Sequence, residues 1–560
     1  MLPKSCRVGF SKVEITPSDK FSLAGYASLG KYATSVAPKT EARLFATALA
    51  LRSEDNNNNN NNNNTVIIVA LDLHSTSKFI WEEACILIAK EIFVAKSNVI
   101  FSATHTHTGP GQYYGNFLYD RMTTPDIFTG FRKERATLFA QKIASAAIGA
   151  FNNALSGFFT VGCGNLWGAS SQRALAAFEN NEDEVKNWCK KGYPGFGGAS
   201  LKHKEDKFID PRVRMFLGCD HRGNLKGFLS SFSCHSTSLG NGVDYYAPDW
   251  AGKAKETALK ILMEDEKDVV CGFMNSACGD ISPLPLTKVG SENGTGVLRN
   301  RIKREDRPTV QGVELRDVVG GKIGEEAGRV AKKCVESVVE GNGKFKNSKK
   351  RKKVEEADFD PLTIATAHEI WEVVQDEQVG SALFGLPTLG GAPCGPNDAL
   401  YPKWGAGWPS NTLDKENPQH PKTPIPILSH AVMAVAPKKL PLHFILLNNH
   451  AIVTVPGEPT TCAAFRIETA VIKEVKGVES CSVLGFSGEY CGYWVTKEEY
   501  DEQLYEGSSM LFGRNASDML TKKLVQLGQS ISIGNININK NQHNTTKGGG
   551  GRKGEQKKSK

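Results

Sequence analysis

Five short β-rich runs, spread along the chain and each running into polar or small residues, most restrict what this sequence can fold into. They are VIIVALDL (66–73), NVIFSAT (98–104), LKGFLSSFSC (225–234), DVVCGFMN (268–275) and AIVTVPGE (451–458). Helical periodicity marks 131–154, 249–265, 315–339 and 460–475, and Asp249 is placed to cap the second of these. Strands mixed with helices, without a repeat period, predict one large mixed α/β domain. It is read over residues 1–533, with a disordered asparagine tract at 56–64 and a basic loop at 342–360. The tract separates two apolar runs, 44–51 and 66–71, as a hairpin loop would. Residues 289–307 read as a polar surface insertion, and 534–560 as a disordered basic tail.

Charge is the next constraint. The formal net charge is +8, but 344–353 and 547–560 together carry +12, which leaves −4 for the rest. A mildly acidic body argues against nucleic acid as a partner. The two basic segments read as solvated, with an anionic membrane surface as the partner they fit otherwise. No run reaches the ~18 apolar residues of a membrane span, and the start MLPKSCRVGFSKVEITP has no apolar signal-peptide core. The 13 scattered cysteines include no CxxC pair and read as mostly free, buried thiols in a reducing compartment. An intracellular, membrane-peripheral protein is expected.

The groups able to do chemistry gather just after the predicted strands. SATHTHTGPG (102–111) carries His105 and His107 two positions apart; a strand continued through them would put both rings on one face. FSCHSTSLG (232–240) carries His235. NSACGDISPLP (275–285) carries Asp280 and Ser282, with Gly279 allowing a close backbone approach. VTVPGEPTT (453–461) carries Glu458, and FSGEYCGYWVTKEEY (486–500) delivers tyrosines. Each segment alone also fits a structural part: a satisfied core histidine, a capped turn, rim aromatics. No HExxH, GxSxG or Walker motif offers a competing chemistry. Histidines plus a carboxylate from separate strand ends suit zinc, which takes N and O ligands.

In order and character, these segments resemble the neutral (non-lysosomal) ceramidase family over roughly residues 8–513. VGFSKVEITP with Ala24–Tyr26 resembles its opening, SATHTHTGPG its HTHSGP segment, and FSCHSTS its second histidine segment. CGDISP, VPGEPTT and residues 489–513 resemble its later motifs, and SQRALAAFENN (171–181) resembles its arginine segment more loosely. The resemblance implies a strand-end Zn²⁺ site in the α/β catalytic domain, with His105, His235, Glu458 and Tyr490 as ligands. It implies His107 beside the metal, Ser282 as the serine usually called the nucleophile, and Arg173 facing the substrate. The expected reaction is cleavage of the amide of ceramide to sphingosine and a fatty acid, part of sphingolipid metabolism. The same shell also fits a zinc hydrolase of another N-acyl amide or ester, or a non-catalytic lipid-binding relative.

The sequence departs from the family in places. Its Ser-Pro and Tyr stand here as Ala174-Leu175 and Phe178. Only a short polar segment follows Gly513, so the family's usual C-terminal β-sandwich is expected to be missing, as is a secretory or anchor segment.

Overall fold

A computed structural model describes residues 2–19, 22–26, 43–54, 64–122, 130–181, 185–186, 204–240, 243–262, 268–283, 312–340, 359–392, 413–425 and 429–546. The asparagine tract up to residue 63, the insertion 289–307, most of the basic loop and residues 547–560 lie outside them.

The strands in chain order are β1 (Lys4–Glu14), β2 (Phe45–Arg52), β3 (Thr65–Leu71), β4 (Val99–Ala103), β5 (Leu155–Asn165), β6 (Ser171–Gln172), β7 (Arg212–Asp220) and β8 (Leu225–Phe232). They continue as β9 (Val270–Asn275), β10 (Ile281–Ser282), β11 (Ile364–Glu372), β12 (Lys439–Leu447), β13 (His450–Thr454), β14 (Glu458–Pro459), β15 (Ser480–Leu484) and β16 (Tyr493–Trp494). An eight-stranded sheet runs β4-β3-β2-β1-β5-β7-β8-β9, and a four-stranded sheet runs β11-β12-β13-β15. The antiparallel β2–β3 pair confirms the hairpin expected around the asparagine tract.

The period-two pattern of the strands divides the core. On β3, Val66, Ile68 and Ala70 join Val8, Phe10, Leu229, Ile445 and Ile452 in a core between the two sheets. Ile67, Val69 and Leu71 face the other way, onto the helices Lys78–Glu91 and Lys133–Asn152. Covered on both faces, the strand reads in sequence as an unbroken apolar run. The helices Trp250–Leu262 and Val313–Glu340 cover β7 and β8 in the same way.

Within the two larger sheets three neighbouring pairs are parallel: β3 with β4, β8 with β9, and β13 with β15. Parallel strands end side by side, so the loops after each pair emerge together. Side chains then stitch the three exits to one another. Asn275 Nδ2 donates to the carbonyls of Cys234 (2.7 Å) and Thr104 (3.2 Å). Ser236 Oγ donates to Thr104 O at 2.6 Å, and Ser102 Oγ to Gly485 O at 2.9 Å. These bonds bring the segments after β4, β8, β9 and β15 to one place.

Strand β4 stops at Ala103 and does not continue through His105, because His105 takes a left-handed backbone (φ +62°) that no strand can continue. Near the other end of the chain a proline-free helix runs Ala516–Thr546. Asp249 does precede the helix Trp250–Leu262, but its carboxylate bonds the amides of Ser238, Leu239 and Trp250 and so also pins the loop after β8.

Candidate metal centre

His105 sits two residues beyond β4. The left-handed turn costs on the order of 1–3 kcal/mol, and it aims the ring inward, where it stacks on Phe486 at 4.1 Å. His105 Nδ1 lies 2.8 Å from the carbonyl of His74. A carbonyl only accepts, so Nδ1 carries the proton and Nε2 presents a lone pair. His235, three residues beyond β8, repeats the device: its Nδ1 donates to the carbonyl of Cys278 at 2.7 Å.

Glu458 opens β14, held by its amide bond to Gly492 O at 2.9 Å. Its carboxylate meets both free nitrogens, at 3.5 Å from His105 Nε2 and 3.2 Å from His235 Nε2. Tyr490 donates its hydroxyl to Glu458 Oε1. One donor atom of each of His105, His235 and Glu458 lies within 4.8 Å of the others. Ligands about 2.0–2.1 Å from a tetrahedral ion stand about 3.3 Å apart. The carboxylate–imidazole spacings therefore fit a zinc-sized cation between them.

The turn that Gly279 permits completes the wall. A Cβ at Gly279 would lie 2.8 Å from the carbonyl of Glu458, so only glycine lets this turn approach β14 without displacing it. Gly25 (φ +94°) plays the same part for His107, whose Cγ would stand 2.4 Å from an added Cβ.

His107 Nε2 lies 3.0 Å from His105 Nε2. The left-handed turn at His105, rather than strand alternation, brings the two rings together at a centroid separation of 4.6 Å. Burial first, then the neighbouring histidines, hold the pKa values of His105 and His107 well below the ordinary range. Burial and the charge of Arg173 lower that of His235. Burial alone would raise the Glu458 carboxyl, but His235, Tyr490 and Arg173 outweigh it and the net shift is downward. Neutral imidazoles beside an ionised carboxylate are the ligating forms.

Arg173 is buried beneath this cluster. Its Nε bonds Glu506 Oε1 at 2.9 Å, and its Nη2 donates to Gly279 O (2.7 Å) and Tyr493 Oη (3.0 Å). Ser282 is fully buried in β10, paired with Ser171, and the carbonyl before it accepts from the amide of His235 at 3.2 Å. The fold thus brings His105, His107, His235, Glu458 and Tyr490 into direct contact, with Arg173 and the Ser282 strand around them.

Sequence reasoning missed His74. It lies three residues beyond β3, buried, with its ring 4.4 Å from that of His105 and 5.0 Å from that of Tyr490. Its signal was its position just past an apolar run, the same one that marked His105 and His235.

Comparisons with known proteins bear on the chain as a whole. The family model described as neutral/alkaline non-lysosomal ceramidase, N-terminal, matches residues 6–341 and 408–522. Neutral ceramidase A of Dictyostelium discoideum is 24% identical over 572 residues, covering 95% of this chain and 73% of that protein. The Pseudomonas aeruginosa neutral ceramidase is 26% identical over 435 residues, covering 75% of this chain and 57% of that protein. Neutral ceramidase B of D. discoideum is 25% identical, and this chain spans 61% of its length. Among solved structures, a ceramidase complexed with C2 superposes with a TM-score of 0.72 at 20% identity, covering 95% of this chain and 76% of that one. The crystal structure of the P. aeruginosa neutral ceramidase gives 0.67 at 19% identity, covering 95% and 74%.

Proposed function

The chain belongs to the neutral/alkaline non-lysosomal ceramidase family, hydrolases of a linear amide C–N bond, and we propose that it is a zinc-dependent ceramidase cleaving N-acylsphingosine to sphingosine and a fatty acid. One observation carries the reading. Donor atoms of His105, His235 and Glu458, from three separate strand ends, converge within 4.8 Å, and each imidazole has its Nδ1 bonded to a carbonyl.

The reaction consumes one water, whose oxygen ends on the acyl carbon and one of whose protons ends on the leaving nitrogen. Zinc, when bound, supplies Lewis-acid polarisation of the amide carbonyl and a nucleophile near neutral pH. His105, His235 and Glu458 are the residues that hold it, with Tyr490 as the fourth ligand or as the donor that fixes Glu458. His107, kept neutral by burial, takes a proton from the attacking oxygen and returns it to the leaving amine. Ser282 either attacks the carbonyl itself or donates a hydrogen bond to the developing oxyanion. Arg173, through Gly279 and Tyr493, holds the turn that carries Ser282 against the metal ligands. Peripheral contact with an anionic membrane through the basic segments 342–360 and 534–560 would bring the enzyme to a lipid substrate.

A panel of N-acyl amides sharing one acyl chain and differing in head group tests the substrate. The reading expects N-acylsphingosine to be turned over fastest by purified, zinc-loaded protein. Preference for another head group, or for an ester, would replace ceramide as the substrate.

A further inference from the structure

Three histidine rings, rather than two, crowd one side of the metal centre. β3 and β4 are parallel neighbours, so the segments beyond them leave the sheet together. They stay joined: Thr104 N bonds Leu71 O at 2.9 Å, and Thr106 N bonds Leu73 O at 3.3 Å. This puts His74 beside His105 and His107, with ring centroids 4.4 and 5.2 Å away. One ring nitrogen of each of the three lies within 4.8 Å of the others.

The His74 ring is held in place by a purpose-shaped support. Its Nδ1 lies 2.7 Å from the hydroxyl of Tyr114; with that hydroxyl accepting the Nδ1 proton, Nε2 offers its lone pair to a cation. Tyr114 stacks on Tyr113 at 4.4 Å, and Tyr113 is anchored on Ser75 by bonds to its carbonyl (2.7 Å) and amide (3.1 Å). A histidine needed only for packing would not need neighbours of its own kind. With Nδ1 of His105 protonated, the 3.0 Å contact between His105 Nε2 and His107 Nε2 is a hydrogen bond donated by His107, which a cation taking both nitrogens would replace.

We propose that His74, His105 and His107 form a second cation seat, alternative to the His105–His235–Glu458 seat and sharing His105 with it. Three neutral imidazoles suit a borderline divalent ion such as Zn²⁺, Co²⁺ or Ni²⁺. His105 Nε2 can bind one ion at a time, so a single ion occupies one seat or the other. The seat with the Glu458 charge is the stronger, and the all-nitrogen seat holds the ion when the first is impaired. The inference rests on the metal reading of the first seat.

The test uses the full chain loaded with Co²⁺, with affinity measured by chelator competition and ligated rings counted from paramagnetically shifted imidazole N–H signals. His235→Asn should retain one equivalent of Co²⁺ through the second seat. Adding His74→Asn should weaken binding at least ~10-fold and remove one shifted signal. Should His235→Asn fail to fold, Glu458→Gln with and without His74→Asn poses the same question. If the wild-type protein takes up no Co²⁺, both this inference and the zinc reading fail. If it binds Co²⁺ but His74→Asn leaves affinity and signal count unchanged in either background, only the second seat falls.

Discussion

His235 Nδ1 and the carbonyl oxygen of Cys278 lie 2.7 Å apart, so the turn that carries Ser282 also sets the tautomer of a metal-ligand candidate. The amide of His235 bonds Ile281 O at 3.2 Å from the same turn. Residues 278–282 thus work as a template for the centre as well as a source of a hydroxyl.

That coupling separates Ser282 from the ligands. Ser282→Ala should keep zinc and fold, because it removes one hydroxyl outside the ligand set, while turnover falls at least ~10²-fold. His105→Ala should lose both zinc and activity. Metal content and turnover of the two purified variants decide; near-normal turnover of Ser282→Ala would remove that residue from the mechanism.

Gly279→Ala should damage the site without touching a reactive group. Its Cβ would lie 2.8 Å from the carbonyl of Glu458, a backbone atom that cannot swing away. Overpacking of this kind costs about 1–3 kcal/mol, and displacement of Glu458 should weaken zinc binding as well. Thermal melting with chelator competition measures both, and unchanged zinc affinity would count against the close approach as a site determinant.

Arg173 and Glu506 form a buried pair at 2.9 Å. Arg173→Met leaves a buried carboxylate without its partner, a loss of about 3–5 kcal/mol. Adding Glu506→Gln should recover much of the stability. Activity should stay low in the double variant, because Gly279 O and Tyr493 remain without their donor. Denaturant unfolding read beside turnover tests this, and full recovery of activity would show that Arg173 serves stability alone.

His450 gives a pH dependence away from the metal. It is buried between the hydroxyls of Ser480 (2.8 Å) and Ser482 (3.0 Å), and burial lowers its pKa to about 3. A folded pKa below the unfolded value of ~6.5 means that its contribution is present above pH ~6.5 and is lost as pH falls toward the folded pKa. Stability should therefore decline below pH ~6.5, with up to about 1.4 kcal/mol per pH unit from this residue. His450→Gln should make the decline shallower; an identical slope from pH 6.5 to 4 would refute the assignment.

The parts legible in sequence were those written in local pattern. β3, β4, β8, β9 and β13 were visible because strands covered on both faces read as apolar runs, and the helix at Thr461–Glu474 showed its period. The candidate ligands were visible because they follow those runs. What was not legible is set by long-range pairing. Nothing local says that β3 and β4, β8 and β9, and β13 and β15 are parallel and open onto one place. His74 was passed over although it lies just past the apolar run of β3; the residues after it lead into the helix Lys78–Glu91, which Ser77 caps by accepting from the amide of Ile80. The shared face that a continued strand would give His105 and His107 does not form, because a residue with φ +62° ends strand alternation.

The most direct test of the zinc ceramidase account is ceramide hydrolysis by the purified full chain before chelation, after it, and after zinc is restored, with bound metal measured at each stage. The account predicts about one zinc per chain, turnover of N-acylsphingosine that disappears with the metal, and its return when zinc is added back. Ceramide hydrolysis that persists in metal-free protein, or a zinc-loaded protein that leaves ceramide intact, would contradict it.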